Sequence, residues 1–170
     1  MRIDTPCDLN HNKHGGALNV RAIYLNARCP MSHTYHEITS QYGALQKSFE
    51  KILSLRATVA EEYEKCGRRA LYLGCGSSYS LCKSAEMMHT LYGMGTAAAF
   101  AAGDMLVNFE QYKKAAQGAL CVIFSRSGAT SEAVRAAEIL KRECACRILS
   151  VVLCENSPLA TLSDLCVELP

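Results

Sequence analysis

Short apolar segments alternate with amphipathic segments from residue 69 to the end of the chain, and this alternation restricts the fold more than any other feature. The apolar segments have the length of buried strands, and the segments between them carry apolar side chains at the three- and four-residue steps of helices. Strands that are buried on both faces form parallel sheets covered by helices. We therefore predict an α/β fold with three layers (αβα) and a parallel sheet in the middle.

Five strands are predicted, in segments that read RALYLGCG, TAAAFAAGD, GALCVIF, CRILSVVLC and LCVEL. The alternation by itself leaves the strand order open, and we expect the flavodoxin-like order 2-1-3-4-5. In that order strands one and three are neighbours whose connections leave in opposite directions. The crevice outside their carboxyl ends is then the expected ligand site.

Residues 34–65 precede the sheet and carry apolar side chains at helical spacing, which predicts N-terminal helices packed alongside it. Gly43 is expected to divide this segment into a short and a longer helix, and Gly67 is expected to cap its carboxyl end. The apolar face of the segment needs cover, which favours a homodimer or a tandem-domain partner.

Residues 1–33 are polar and poorly patterned, and we interpret them as an irregular arm before a domain at residues 34–170. His11 and His14 have no third ligand nearby, so we do not interpret them as a metal pair. Patterned sequence begins directly after Met31, and our hypothesis is that the native start lies there. The mass of the native N-terminus tests this hypothesis.

The composition excludes several classes of protein. A net charge of +2 over 170 residues, without a basic stripe, argues against nucleic acid as the main partner. The longest apolar stretch, at residues 95–102, is too short to cross a membrane, and no secretory signal is visible. The ten cysteines form no CxxC pair, so we expect reduced thiols in a cytoplasmic protein without a metal or cofactor.

Two serine-rich loops follow the first and third predicted strands, and each precedes a helix. They read GCGSSYS and SRSGAT. Helix N-termini present free N–H groups and a positive dipole end to an anion, and Gly76 and Gly128 let the backbone approach it. The hydroxyls add donors, and the Arg126 guanidinium either adds charge or faces a neighbouring subunit. The predicted phosphate-binding residues are Gly76, Ser77, Ser78, Ser125, Arg126, Ser127, Gly128 and Thr130.

Other interpretations of these loops fit less well. The dinucleotide pattern GxGxxG fails because Tyr79 occupies the third glycine position, and no Gly-Lys pair exists for a Walker loop. SRSGAT does not supply the GxSxG elbow of a serine hydrolase. In the simplest alternative the serines only cap helices. Two such loops at matching strand ends favour anion binding.

The sequence resembles the SIS (sugar isomerase) domain. The resemblance rests on YLGCGSSYS followed some 45 residues later by VIFSRSGATSEAVRAAEILK, and it extends over residues 35–170. The lead-in TYHEITSQYGAL is similar to the segment that opens the isomerase half of glucosamine-6-phosphate synthase, a member of this family. The turn AAGDM resembles the one after that family's second strand.

The resemblance implies a five-stranded parallel sheet, usually in tandem pairs, that binds phosphosugars. It implies that Ser77 and Ser78 hold the sugar phosphate or its hydroxyls. In the second loop Ser125, Ser127 and Thr130 would grip the phosphate, with Arg126 at a position often filled by Gln. Ala129 stands where the synthase has Glu, which favours the isomerase, deaminase and deglycase relatives.

The resemblance also indicates what this chain lacks. In two-domain isomerases the proton-transferring groups lie mostly beyond the first domain, so this chain is expected to be the first of a tandem pair, without its own catalytic base. Glu86 and His89 share one face of a helix, but a solvated face or a subunit contact explains them as well. The expected function is an aldose–ketose or aminosugar-phosphate isomerase or deaminase. Alternatives are a non-catalytic sugar-phosphate sensor and a deglycase or lyase.

Overall fold

The computed structural model describes residues 33–154 and 156–170 of the chain. By its internal contacts the chain divides into two compact units, Met1–Ser40 and Gln41–Pro170. The interpretations placed on the N-terminal arm, His11, His14 and Met31 lie outside the described residues.

Five strands alternate with helices as predicted. The elements in chain order are α1 (His33–Lys65), β1 (Arg69–Gly74), α2 (Ser77–Leu91), β2 (Thr96–Ala101), α3 (Ala102–Val107), α4 (Phe109–Ala116), β3 (Leu120–Phe124), α5 (Ser131–Cys144), β4 (Arg147–Val152), α6 (Pro158–Leu162) and β5 (Leu165–Glu168). The strands form one parallel sheet in the order β2-β1-β3-β4-β5, which confirms the predicted topology.

Side chains of each strand alternate between the two faces of the sheet. On one face, inward side chains of β1, β3 and β4 pack against α3, α5 and α6, around Leu73, Ile123 and Ile148, all fully buried. On the other face a smaller cluster forms around Leu120 and Leu149. The continuous apolar runs of the sequence follow from this burial on both faces.

Helix α1 is continuous, so the predicted break at Gly43 is wrong. A single glycine costs a helix about 1 kcal/mol, and the strong helix formers around it offset that cost. The predicted cap at Gly67 is confirmed. Gly67 adopts φ 63°, and the next amide, of Arg68, donates to the Tyr63 carbonyl at 3.1 Å, which ends the helix.

The carboxyl end of α1 packs on the sheet. Leu55, Val59 and Tyr63 pack on the smaller cluster. The Glu62 carboxylate also forms ion pairs with Lys65 and with Arg147 at the start of β4. A hydrogen bond from Lys65 lowers the pKa of Glu62, which keeps this partly buried carboxylate charged. The last turns of α1 are thus fixed to the sheet by packing and by charge.

Candidate functional site

Strands β1 and β3 are neighbours and end at the same edge of the sheet. Gly74, the last residue of β1, lies opposite Phe124, the last residue of β3. The chain leaves β1 for α2 and β3 for α5. The two serine-rich loops therefore start side by side, as the strand order requires.

The first loop is short because α2 packs directly onto the end of β1. A Cβ atom at Gly74 would lie 2.7 Å from the carbonyl carbon of Ser78 and 2.9 Å from the amide nitrogen of Tyr79. Gly76 turns the chain with φ 55°, and the amide of Tyr79 donates to its carbonyl at 3.0 Å. The first turn of α2 can reach this position only because residue 74 has no side chain.

The second loop is folded around a buried serine. The Ser125 amide donates to the Val151 carbonyl at 3.1 Å, and its hydroxyl lies 3.3 Å from that of Thr130. The Gly128 amide closes the turn onto the Ser125 carbonyl at 3.2 Å, with φ 60° at Gly128. Ser125 therefore shapes the loop from beneath and holds Thr130 in place.

The loop between β4 and α6 supports the second loop from outside. The amides of Leu153 and Leu159 donate to the carbonyls of Arg126 (3.0 Å) and Gly128 (2.9 Å). Buried Ser157 lies so close to Gly128 that a Cβ there would be 2.1 Å from the Ser157 hydroxyl. Sequence reasoning missed Ser157 and Gly74; the Ser-Pro pair at 157–158 was the available signal for a helix start beside the loop.

The two loops enclose one pocket of about 280 Å³, which we call the cradle. Its lining residues are Ser77, Ser78, Arg126, Ser127 and Thr130. The structure thus brings together five of the eight predicted site residues. Ser125 is buried beneath the loop, and Gly76 and Gly128 shape the backbone without lining the cradle.

The hydroxyls of the cradle do not act as helix caps. The N-cap of α2 is Gly76, which has no side chain, and the N-cap of α5 is Thr130, whose hydroxyl makes no capping hydrogen bond to the helix. The simplest alternative, that the serines only cap helices, therefore does not describe this geometry. The positive ends of two helices, of 15 and 14 residues, and the exposed Arg126 make the cradle suited to an anion.

Glu86 and His89 lie away from the cradle. They lie about 12 Å and about 17 Å further along α2 than Ser78. One carboxylate oxygen of Glu86 accepts the Ala99 amide of β2 at 3.1 Å, and the other pairs with Lys83. His89 is 3% exposed and lies between the hydroxyls of Tyr63 (2.7 Å) and Tyr72 (3.1 Å). Both residues have structural roles.

The hydrogen bonds around His89 fix its tautomer. The Tyr63 hydroxyl donates towards the carbonyls of Arg68 (2.7 Å) and Met94 (2.9 Å), so it accepts from Nε2–H of His89. Nδ1 is left to accept from the Tyr72 hydroxyl. Burial, followed by the charge of Arg68, lowers the pKa of His89 and keeps the ring neutral.

The SIS domain model matches residues 63–170, more than half of the chain and all of the sheet. The chain belongs to the SIS family. This SIS domain matches no curated protein. No helix in the described part of the chain is long and apolar enough to cross a membrane, and no group of three or more His, Cys, Asp or Glu there is arranged to hold a metal ion.

Solved structures share the fold of this SIS domain. Tagatose-6-phosphate ketose/aldose isomerase from Escherichia coli is 25% identical, with a TM-score of 0.72 over 81% of this chain and 40% of that one. A putative phosphosugar isomerase involved in capsule formation, from Bacteroides fragilis, is 18% identical (TM-score 0.59, 78% and 72%). The C-terminal domain of glucosamine-fructose-6-phosphate aminotransferase from Francisella tularensis is 17% identical (TM-score 0.63, 82% and 40%). This SIS domain therefore spans less than half of the tagatose-6-phosphate isomerase.

Proposed function

We propose that this SIS domain binds a sugar phosphate, a hexose 6-phosphate or an aminosugar 6-phosphate, with the phosphate group in the cradle. The single observation that supports this most is that both serine-rich loops line one pocket at the N-termini of two helices. Hydroxyls, amides and one guanidinium converge there, and phosphate oxygens accept hydrogen bonds from all three. The chain's membership of the SIS family and the fold that it shares with tagatose-6-phosphate ketose/aldose isomerase support this choice of ligand.

The reaction we propose for the whole protein is aldose–ketose isomerisation. After ring opening, a base removes the proton from the carbon beside the carbonyl. The resulting enediolate is protonated on the former carbonyl carbon, while a hydroxyl proton passes from one oxygen to the other. The contribution of the cradle is binding energy at the remote phosphate, which holds the reacting carbons in place. Deamination of an aminosugar phosphate would use the same binding of the phosphate group in the cradle.

The catalytic base is proposed to lie outside the cradle. Its five lining residues carry hydroxyls and a guanidinium, and none of them has the carboxylate or imidazole that most often serves as a general base. Glu86 and His89 are held elsewhere by other contacts. We infer that a second domain or a second copy supplies the base, which agrees with residues 34–170 being the first SIS domain of a tandem pair.

The lack of a base among the cradle residues also favours a second candidate, a sensor that binds the sugar phosphate without turning it over. Sequence beyond residue 170 discriminates the two functions: a second pair of serine loops and a C-terminal lysine favour the isomerase. A deglycase or lyase on the same scaffold would share the cradle and differ in the product formed.

Calorimetry with fructose 6-phosphate, glucosamine 6-phosphate and inorganic phosphate tests the proposal. The test variant is Ser78→Ala with Ser127→Ala, and the matched control is Ser84→Ala, an exposed serine on α2 outside the cradle. Two lost hydrogen bonds to a charged group weaken binding by roughly 100-fold or more. The control should bind as the wild type does.

Either of two results contradicts the proposal: a folded wild-type chain that binds none of the three ligands, or a cradle variant that binds as tightly as the control. Proton NMR of the bound sugar phosphate then separates the candidate functions. Turnover to the ketose or aldose favours an isomerase that is complete in this chain, and binding without turnover favours a sensor or a base supplied from elsewhere.

A further inference from the structure

An apolar cavity of about 400 Å³ lies between α1 and α2 on one face of the sheet. Helix α1 packs over β3, β4 and β5, and α2 packs over β1 and β2, so the gap between the helices opens above the inner strands β1 and β3. The floor of the cavity is formed by Ala70, Tyr72, Leu120 and Val122. Tyr72 and Val122 are only half-buried, although inner strands of a parallel sheet are normally covered on both faces. The fold thus leaves room for a ligand beside its core.

The wall on the α1 side carries one charge in an otherwise apolar stripe. The stripe follows steps of four, three and four residues, which places its members on one face of the helix, and all of them line the cavity: Ile52, Arg56, Val59 and Tyr63. Arg56 is exposed, and within the described residues no carboxylate forms an ion pair with it. Arg56 therefore places a positive charge without a neutralising partner at the mouth of the cavity.

The opposite end of the cavity is closed by groups that satisfy one another. His89 lies between the hydroxyls of Tyr63 and Tyr72, at 2.7 Å and 3.1 Å, and the Tyr63 hydroxyl also donates to backbone carbonyls. The polar atoms at this end therefore need no partner from a ligand, and the rings offer carbon to it. Arg56 and Tyr63 are seven residues apart on α1, which is a rise of about 10 Å. The cavity is cationic at its mouth and apolar along the length beyond it.

This combination selects a ligand by size and by charge. A cavity of about 150 Å³ holds a benzene ring, and pockets for small ligands begin near about 300 Å³, so this cavity takes a longer apolar body. An extended chain of about eight carbons spans roughly the 10 Å from the mouth to the closed end. A guanidinium pairs well with a carboxylate, because two parallel hydrogen bonds join them. A sugar phosphate does not suit the cavity, because its floor consists of apolar side chains and the ring of Tyr72.

We propose that this cavity binds a monocarboxylic acid with one apolar tail of about eight carbons. The carboxylate pairs with Arg56 at the mouth, and the tail lies over Tyr72 and Val122 with its end against His89. This site is separate from the cradle, because the two share no lining residue. It goes beyond the proposed function and does not depend on it.

Calorimetry of the full chain with octanoate and hexanoate tests the apolar part of the site. Octanoate should bind, and hexanoate should bind about 15-fold more weakly, because each of the two missing methylenes changes the affinity about fourfold. A carboxylate held only by charges on the surface shows no such dependence on chain length. Equal binding of the two acids would therefore contradict a tail in the cavity.

A charge variant tests the role of Arg56. In Arg56→Gln we expect octanoate to bind about 10-fold more weakly, because a hydrogen bond between charged groups is lost, and octanol to bind as it does to the wild type. The matched control is Arg135→Gln, which removes the same charge from an exposed position on α5, on the opposite face of the sheet. The control should bind octanoate as the wild type does.

A steric variant tests the position of the tail. Val122→Trp places a larger side chain on the floor of the cavity and should weaken octanoate and octanol alike, by at least about 10-fold. Circular dichroism shows whether the variant is folded. NMR of the wild type locates the tail without any substitution: nuclear Overhauser effects should connect the terminal methyl group of octanoate with the rings of Tyr72 and His89.

Three results overturn the proposal: a folded wild type that binds neither octanoate nor octanol, an Arg56→Gln variant that binds octanoate no more weakly than the Arg135→Gln control, or methyl contacts that lie outside the cavity. The first result would mean that a protein segment and not a small acid fills the cavity. Binding of fructose 6-phosphate to Arg56→Gln should equal that of the wild type, which keeps this question apart from that of the cradle.

Discussion

The shape of the cradle depends on the absence of a Cβ atom at two glycines. At Gly74 the backbone of Ser78 occupies the space of a Cβ, and at Gly128 the Ser157 side chain does. Gly128 also has a positive φ, which only glycine adopts without strain. The first loop thus depends on an absent methyl group at the end of β1.

We expect Gly74→Ala to destabilise the protein by about 1–3 kcal/mol, because the added carbon meets rigid backbone. Gly43→Ala is the control: it lies inside α1 with nothing within 4 Å of its Cβ position, so alanine should stabilise the helix by about 1 kcal/mol. Urea unfolding measures both values. Equal effects of the two substitutions would contradict the close packing of α2 on β1.

Ser150 is a polar residue in the buried interior of the sheet. It is fully buried on β4, and within the described residues its hydroxyl has no hydrogen-bond partner. A buried hydroxyl without a partner costs about 1–3 kcal/mol. We expect Ser150→Ala to leave the free energy of unfolding unchanged or to raise it by up to about 1 kcal/mol. Ser157→Ala, which removes the N-cap of α6, should instead lower it by about 1 kcal/mol. A marked loss of stability in Ser150→Ala would reveal an unseen partner of the hydroxyl.

At the scale of elements, the contact between His89, Tyr63 and Tyr72 ties together α2, α1 and β1. A neutral ring satisfies both hydroxyls. A protonated ring would have to donate from Nδ1 to Tyr72, and the Tyr72 proton would then turn into an apolar cavity. Both hydrogen bonds therefore form with satisfied partners only when the His89 ring is neutral.

We expect the melting temperature to fall as the pH drops below about 6.5, the ordinary pKa of histidine. Burial lowers the pKa of His89 in the folded chain, so the unfolded chain binds more protons in this range and acid favours unfolding. His89→Gln cannot titrate and should flatten this part of the profile, although it is less stable at neutral pH. A slope that persists in His89→Gln would assign the acid sensitivity to other groups.

The sequence allows the elements and their order to be predicted, and the reason is physical. Both faces of the sheet are buried, so its strands appear as unbroken apolar runs, and glycine-rich ends fix where they stop. Gly43 does not break α1 because the low helix propensity of one residue is a small cost in a helix of 33 residues. The turn inward of Ser125 and the approach of Ser157 to Gly128 depend on contacts between distant segments, and local patterns do not contain them.

At the scale of the whole molecule, the thiols that the structure describes range from buried to exposed. Cys121 and Cys144 are fully buried, whereas Cys154 is exposed after β4. Burial raises the pKa of Cys82 and of Cys146 to about 12, so neither forms the thiolate at neutral pH. The eight cysteines that the structure describes are free.

We expect iodoacetamide at mildly alkaline pH to modify Cys154 quickly and to leave Cys82, Cys121, Cys144 and Cys146 intact until the protein unfolds. Mass spectrometry of tryptic peptides over a time course measures this order. The same reaction in urea is the control, because all of these thiols should then react. Early labelling of Cys121 in the native chain would show that the core opens far more readily than its packing indicates.

The contact between Glu86 and β2 affects how this sheet behaves among its neighbours in a crowded solution. Strand β2 is an edge, and the amide of Ala99 points away from β1. An open edge made of small apolar residues invites a strand from another molecule, the first step towards fibrils. The Glu86 carboxylate, which is also paired with Lys83, accepts the hydrogen bond of that amide and so removes one free donor from the edge. A residue that first suggested catalysis thus occupies a position at which a strand from another molecule could pair.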